Sequence, residues 1–315
     1  MKLNEFFEIG IKAGRDGDPR SNEEIEKFLN DKKEKFEALS DEEKEYFDKD
    51  ELMNPYLDSA IYYNSGKDIK KIFVGIDTEV QEILLADKLG VDLILGHHPE
   101  GKGLLKLWKV LEIHQEELIK SGLPVNIAER LVSEREAELE RGLHGQNYNR
   151  SVDAAKLLDL SFANLHTVAD NLVNKYMIDY LEEKKVYKLK DIIKSVLEIK
   201  EYHETAKNSL KPKIVAGTGE NRVGKIFVKF NGGTSGNKKM FKHLENIGIS
   251  TFICMHLPED QIKEAKKCNI SVIVMPHMAS DSLGVNLLLD KIEERSGIDF
   301  DIIAGSGFIR VSRRK

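Results

Sequence analysis

The run Val91-Asp92-Leu93-Ile94-Leu95-Gly96, followed by His97-His98-Pro99-Glu100, constrains this chain most, because a segment apolar enough to be a buried strand surfaces at two imidazoles. Side chains alternate faces along a strand, so neighbouring histidines on a regular strand point apart. A strand that stops at Gly96, with a turn set by Pro99, frees the pair to serve two ions of one cluster, or one ion and its surroundings. The same pair is compatible with one ring bonded to a carbonyl and the other in water.

Two further histidine and carboxylate sets follow apolar runs. Leu160–Leu165 leads into His166-Thr167-Val168-Ala169-Asp170, and Ile270–Met275 leads into Pro276-His277-Met278-Ala279-Ser280-Asp281. Both place histidine and aspartate at i and i+4, on one face of a helix that begins after the strand. Ligands of α/β folds collect beyond the carboxyl ends of strands, so three such sets describe one shared site. Helix capping is the alternative, with Asp170, Ser280 or Asp281 as the cap. His256 also ends a strand-like run and reads as a pocket-lining residue. His114, His144, His203 and His243 lie in charged, helix-like segments or beside glycine and read as surface residues.

From Lys71 onward, short apolar runs alternate with helical spacing, the pattern of a βαβ unit. A second series begins near Lys213 with Ile214-Val215, then Ile226–Phe230, Thr251–Cys254 and Val272–Val274. Residues 1–66 read as charged amphipathic helices, with Ser40-Asp41-Glu42-Glu43 as a helix start. The expected fold is therefore α/β: two related α/β lobes facing each other across the site, with an N-terminal helical appendage. The boundaries fall at 1–66 for the appendage, 67–212 for a first lobe with a helical insertion, and 213–315 for the second lobe. No internal repeat is legible in the residues themselves.

Composition excludes several classes. With Lys+Arg 48 against Asp+Glu 54 and a net charge of −6, there is no nucleic-acid footprint. Cys254 and Cys268 are the only cysteines, too few for a thiolate zinc cluster or a disulfide framework, and each reads as a core residue. No window approaches the roughly 20 apolar residues that span a bilayer, and the first residues lack a signal-peptide pattern, so a cytoplasmic location is expected. The charged fraction of 32 %, rich in Lys and Glu, matches the habit of thermophile proteins.

Two glycine-rich stretches invite a phosphate reading. Gly219-x-x-x-x-Gly224-Lys225 has a phosphate-loop spacing, but Ile226 stands where a hydroxyl is needed and a strand rather than a helix follows, so it is rejected. Asn231-Gly232-Gly233-Thr234-Ser235-Gly236-Asn237 lies between a strand and a helix, where backbone amides hold an oxyanion or where Ser235 or Asn237 caps the helix.

Asp77-Thr78 before an amphipathic helix, then His97-His98-Pro99, His166-Thr167-x-x-Asp170, and His277-x-x-x-Asp281 before a Leu-rich helix, stand in an order that resembles the Nif-three-like dinuclear metal proteins, often labelled GTP cyclohydrolase I type 2. The resemblance spans most of the chain. It implies two divalent ions per chain, held by His97, His98, Asp170, His277 and Asp281, and a homo-oligomer. Asp281 departs from the glutamate usual in that family, and the long charged stretch Gly101–Asp159 suggests a divergent, archaeal-type subgroup with a helical cover over the site.

A dinuclear site of this kind shares a water between its ions and lowers its pKa toward ~7, so a metal-dependent hydrolase is expected, acting on a nucleotide or other phosphorylated heterocycle. Zinc or iron suits the nitrogen and oxygen donors, as do manganese, cobalt and nickel. Asp170 reads as the bridging carboxylate, His166 as its orienting partner or proton shuttle, and Glu100 as a general base. Lys102, Arg150 and the Gly232–Gly236 loop would read a small anionic substrate. The alternative is a metal-binding chaperone or regulatory scaffold without turnover. Neither nucleic acid nor membrane is expected as a partner.

Overall fold

The β-branched and aromatic residues that dominate the short apolar runs suit a pleated, buried surface, and each run forms a strand in the computed structural model, which describes residues 1–314. The strands are β1 (Ala60–Tyr63), β2 (Lys71–Gly75), β3 (Leu93–Gly96), β4 (Ser161–Asn164), β5 (Lys213–Ala216), β6 (Lys225–Lys229), β7 (Ile249–Cys254), β8 (Ser271–Val274) and β9 (Asp301–Ala304). They make two sheets, ordered β1-β4-β3-β2-β9 and β5-β8-β7-β6.

The two sheets repeat one plan. In each, three successive strands are parallel neighbours (β2, β3, β4 and β6, β7, β8), and a leading strand (β1 or β5) runs antiparallel beside the last of them. After the last parallel strand of each comes a long helix carrying histidine and aspartate four residues apart: Thr167–Lys184 follows His166, and His277–Ser296 opens on His277 itself. The relation between the lobes is thus carried by topology rather than by residue identity.

These two helices form a central layer between the sheets. Ten of the eighteen residues in the first and thirteen of the twenty in the second are buried; the site-bearing first turns of both are largely enclosed, while Lys175, Asp179, Glu182 and Glu183 give the last turns of the first a solvent face. Val168 and Leu172 pack toward the first sheet, while Val173, Met177 and Leu181 pack toward the second. Gly284 lets the two helices approach, since a Cβ there would lie 2.7 Å from the backbone oxygen of Ala169.

Outer helices complete the layers, as amphipathic elements must bury their apolar faces. Helices Val80–Lys88 and Arg150–Leu157 cover the far face of the first sheet through Ile83, Ala86, Val152 and Ala155. The insertion after β3 supplies helices Leu111–Lys120 and Val125–Leu143, which cross over and pack Leu111, Leu118, Leu131 and Val132 on the far face of the second sheet with Phe227 and Phe252. The insertion covers that sheet more than the site, to which only its first turns reach.

Helix Leu3–Gly14 buries Leu3, Phe6 and Ile11 in the core of the first lobe, whereas helix Asn22–Ala38 buries only Ile25 and Leu29. The latter starts at a reciprocal Ser21/Glu24 capping box, and the Ser40 start signal is matched by a second such box with Glu43.

The expected divisions at 66 and 212 do not follow the sheets. Residues 60–63 are a strand of the first sheet, and β9, near the end of the chain, returns to pair in parallel with β2. Both are four residues long and are flanked by polar segments, too short for a periodic pattern. No helix among the described residues is long and apolar enough to cross a membrane.

Candidate metal centre

Parallel strands of both sheets end toward a common space, and the residues just beyond them form the site. His97 and His98 follow β3 directly, and their backbone N–H groups donate to the carbonyls of Gly75 and Ile76 at 3.0 and 2.9 Å, so the chain stays extended here, yet the two rings converge, with centroids 5.2 Å apart. His97 is buried at 1 % exposure and His98 is half-buried. Asp170 sits in the first helical turn after β4, and Asp281 lies one turn into the helix after β8, both fully enclosed.

The structure brings together all five ligands that the family resemblance implies. Nε2 of His97 lies 3.4 Å from Oδ1 of Asp170 and 3.7 Å from Oδ1 of Asp281. Nε2 of His98 and Nε2 of His277 lie 3.4 and 3.5 Å from Oδ2 of the same Asp281. One carboxylate therefore faces two sets of donors, one per oxygen. The sequence reading gave this bridging position to Asp170, whose oxygens instead face His97 and, at 3.7 Å, His166.

Two carboxylates outside the expected set hold the imidazoles. Oδ1 of Asp77 accepts from Nδ1 of His98 at 2.7 Å, and Oδ2 of Asp58 accepts from Nδ1 of His166 at 2.7 Å. A carboxylate only accepts, so Nδ1 carries a proton in both rings, and in the neutral ring, the form that can ligate a metal, each Nε2 presents a lone pair inward. Asp58 also takes the Thr167 hydroxyl at 2.6 Å. It stands alone in the sequence beside Ser59, at no spacing that ties it to a histidine. Asp77 belongs to the motif noted above without a role attached.

The electrostatics match a site built for cations. Burial pushes the His97 imidazole well below its ordinary range and raises the Asp170 carboxyl. Burial also pushes His98 down, but the nearby Asp281 carboxylate and the hydrogen bond to Asp77 outweigh it and lift the group to about 10. Nε2 of His97, Oδ1 of Asp170 and both oxygens of Asp281 are buried with no hydrogen-bond partner among the described residues. Unpartnered buried polar atoms cost free energy, and divalent ions would satisfy all of them. His97, Asp170 and Asp281 form one group that can hold an ion, and His98, His277 and Asp281 another.

A cavity of about 240 Å³ adjoins these groups, lined by His98, His166, Asp170 and His277 on one side and by Lys229 and the loop through Gly236 on the other. His256 lines it as expected, its ring centroid 5.1 Å from that of His277. Leu104 and Leu107 are the insertion residues that reach it. Glu100 is not among its lining residues: Pro99 turns the chain, the Glu100 N–H donates to the Tyr62 hydroxyl, and its half-buried carboxyl lies near Ser151. Lys102 is paired with Asp50, and Arg150 is an exposed residue at a helix start. His114, expected on the surface, is buried at 2 % exposure beneath the loop, because its helix packs that face against the second sheet. His144 and His203 are exposed, and Cys254 and Cys268 are buried.

No protein-family model matches the chain, and no curated protein matches it in sequence. Among solved structures it is similar to the NIF3 superfamily protein from Sphaerobacter thermophilus, at 26 % identity and a TM-score of 0.72, over 82 % of this chain and 94 % of that one. The chain belongs to the NIF3 superfamily. Two further structures share the fold with this NIF3 superfamily protein. Reduced HcgD from Methanocaldococcus jannaschii matches at 17 % identity and a TM-score of 0.50, over 84 % of this chain and 94 % of that one. The protein ybgI, of unknown function, matches at 15 % and 0.51, over 90 % and 97 %.

Proposed function

We propose that this NIF3 superfamily protein is a dinuclear metal-dependent hydrolase acting on a small anionic substrate, a nucleotide or another phosphorylated heterocycle. The observation that supports this most is Asp281, whose two buried, unpartnered oxygens face two separate donor sets. His97 and Asp170 would hold one ion and His98 and His277 the other, with Asp281 shared; zinc or iron suits these donors. When bound, such ions supply a Lewis-acid pair that acidifies water toward pKa ~7 and polarises a substrate oxygen.

The chain's own residues do the rest. Asp77 and Asp58 fix the tautomers of His98 and His166. His166, facing Asp170 and lining the cavity, accepts and returns the proton at Nε2. Leu104, Leu107 and Leu257 wall the cavity and limit water.

The test is elemental analysis of purified protein beside Asp170→Ala and Asp281→Asn, followed by a hydrolase screen on the metal-loaded form. About two ions per chain, falling in both variants and accompanied by turnover, is the expected result. Two ions without turnover on nucleotide or phospho-heterocycle substrates would favour a metal-carrying or scaffold role, and no metal under varied loading would reject the site.

A further inference from the structure

Among the residues that line the cavity, Lys229 is the one lysine or arginine, and it lies on the side away from the histidines. It closes β6, is only 6 % exposed, and no carboxylate among the described residues comes within ion-pair distance of its Nζ. Two of its three protons go to the backbone oxygens of Asn231 and Thr234, each at 2.8 Å. Glu117 and Asp170 act on it only from further away, and burial pushes the ammonium down to about 8. A buried charge without a partner is costly, so a counter-ion arriving through the cavity would be strongly favoured.

The loop that Lys229 holds is shaped for the same guest. Gly232 and Gly233 have φ of +76° and +68°, two left-handed residues in succession that only glycine adopts cheaply. A Cβ at Gly233 would lie 2.7 Å from Cδ1 of Leu107, and one at Gly236 would lie 2.6 Å from Nε2 of His114, so the back of the loop is pressed onto the insertion. Arg135 takes the Ser235 carbonyl from that side at 3.1 Å. Across a planar trans peptide the next N–H points the opposite way, so the Gly236 amide is turned from Arg135, and it has no acceptor among the described residues.

We propose that Lys229 and the Gly232–Gly236 loop form an oxyanion-binding subsite opposite the metal ligands, so that the substrate is a compact molecule bearing a phosphate or carboxylate, with its reacting bond between that anion and the His/Asp groups. The catalytic meaning of the subsite rests on the hydrolase reading; its anion binding does not. The enclosed volume is below the ~300–1,000 Å³ of drug-sized sites, so little beyond the anionic group and its neighbouring atoms is enclosed.

The experiment is calorimetric titration of the full-length protein with inorganic phosphate and, separately, acetate, in chelator-treated and metal-loaded forms, for wild type and Lys229→Met. Phosphate or acetate binding to both wild-type forms, weakened about tenfold or more in Lys229→Met at unchanged metal content, supports the subsite, and the tighter anion names the substrate class. Equal affinity in Lys229→Met, or no wild-type binding of either anion below ~10 mM, overturns it. Acetylation of Lys229 in wild type, followed by peptide mass, gives a readout that needs no variant: protection by the bound anion supports the subsite, and an unchanged rate overturns it. Lys229-dependent anion binding in a protein that takes no metal would sink the hydrolase and leave the subsite standing. Turnover with binding indifferent to Lys229 would do the reverse.

Discussion

Asp58 and His166 meet through a 2.7 Å hydrogen bond from Nδ1 to Oδ2, with the carboxylate wholly buried. Burial works to lower the His166 pKa, but the charges of Asp170 and Asp58 outweigh it and the group is raised. In Asp58→Asn one of those charges is gone. The His166 ring should then titrate at lower pH than in wild type, followed by NMR of labelled histidine in the metal-free protein. An unmoved midpoint would mean that Asp58 does not govern this imidazole.

Asp77 plays the corresponding part for His98, and its carboxyl is itself held low by that hydrogen bond. Partners that orient a ligating imidazole typically contribute about 10–100-fold to metal affinity. Asp77→Asn should therefore weaken binding of the second ion by that order in a chelator competition, leaving the fold intact because Asp77 is exposed at its side chain.

Gly284 sets the distance between the two helices that carry Asp170 and Asp281. The obstacle a methyl group would meet there is backbone, which cannot swing aside. Gly284→Ala should cost about 1–3 kcal/mol in urea unfolding, as overpacked interiors do. It should also lower metal content, since the two carboxylates are displaced together. A variant as stable as wild type would show that the helices slide freely.

His114 predicts an acid limit to stability that has nothing to do with the metal ligands. Burial, reinforced by Lys229, keeps its folded pKa well below the ordinary 6.5. Below pH 6.5 the unfolded chain takes up a proton at this residue while the folded chain does not, so stability falls as pH falls and is unaffected above that range. One unit lower, at about pH 5.5, the loss from this group is about 1.4 kcal/mol. The difference in unfolding free energy between pH 7.5 and 5.5 should shrink by that amount in His114→Leu; an equal difference would remove His114 from the acid response.

Much of the fold was legible because parallel strands buried on both faces read as apolar runs, and because each run of that kind stops where a functional residue begins. His97, His98, Asp170, His277 and Asp281 could be picked out on that ground. Asp58 could not: it belongs to an irregular segment, and only the pairing of β1 with β4 carries it to His166. Lys229 was hidden in another way, since a lysine at the end of a strand reads as its solvated edge, and its enclosure depends on an insertion that begins 128 residues earlier at Gly101. That the oxygens of Asp281, rather than those of Asp170, face both sets of imidazoles is likewise a matter of tertiary placement, for the two motifs are alike in spacing. Glu100 reads as a general base from its adjacency in sequence to His98, and the turn at Pro99 places it outside the cavity lining.

The return of β9 to the side of β2 has a consequence for how the molecule comes into being. The first sheet lacks its edge strand until residue 304 has left the ribosome, and Asp281 is made only shortly before. Early synthesis thus yields a nascent lobe with one flank open and half of its donor sets missing. Closing that flank requires pairing across some 230 residues of chain, a long-range step of the slow kind. Any cation held between the two donor sets would therefore be captured at the same late moment as the native topology is completed, by both lobes together rather than by either alone.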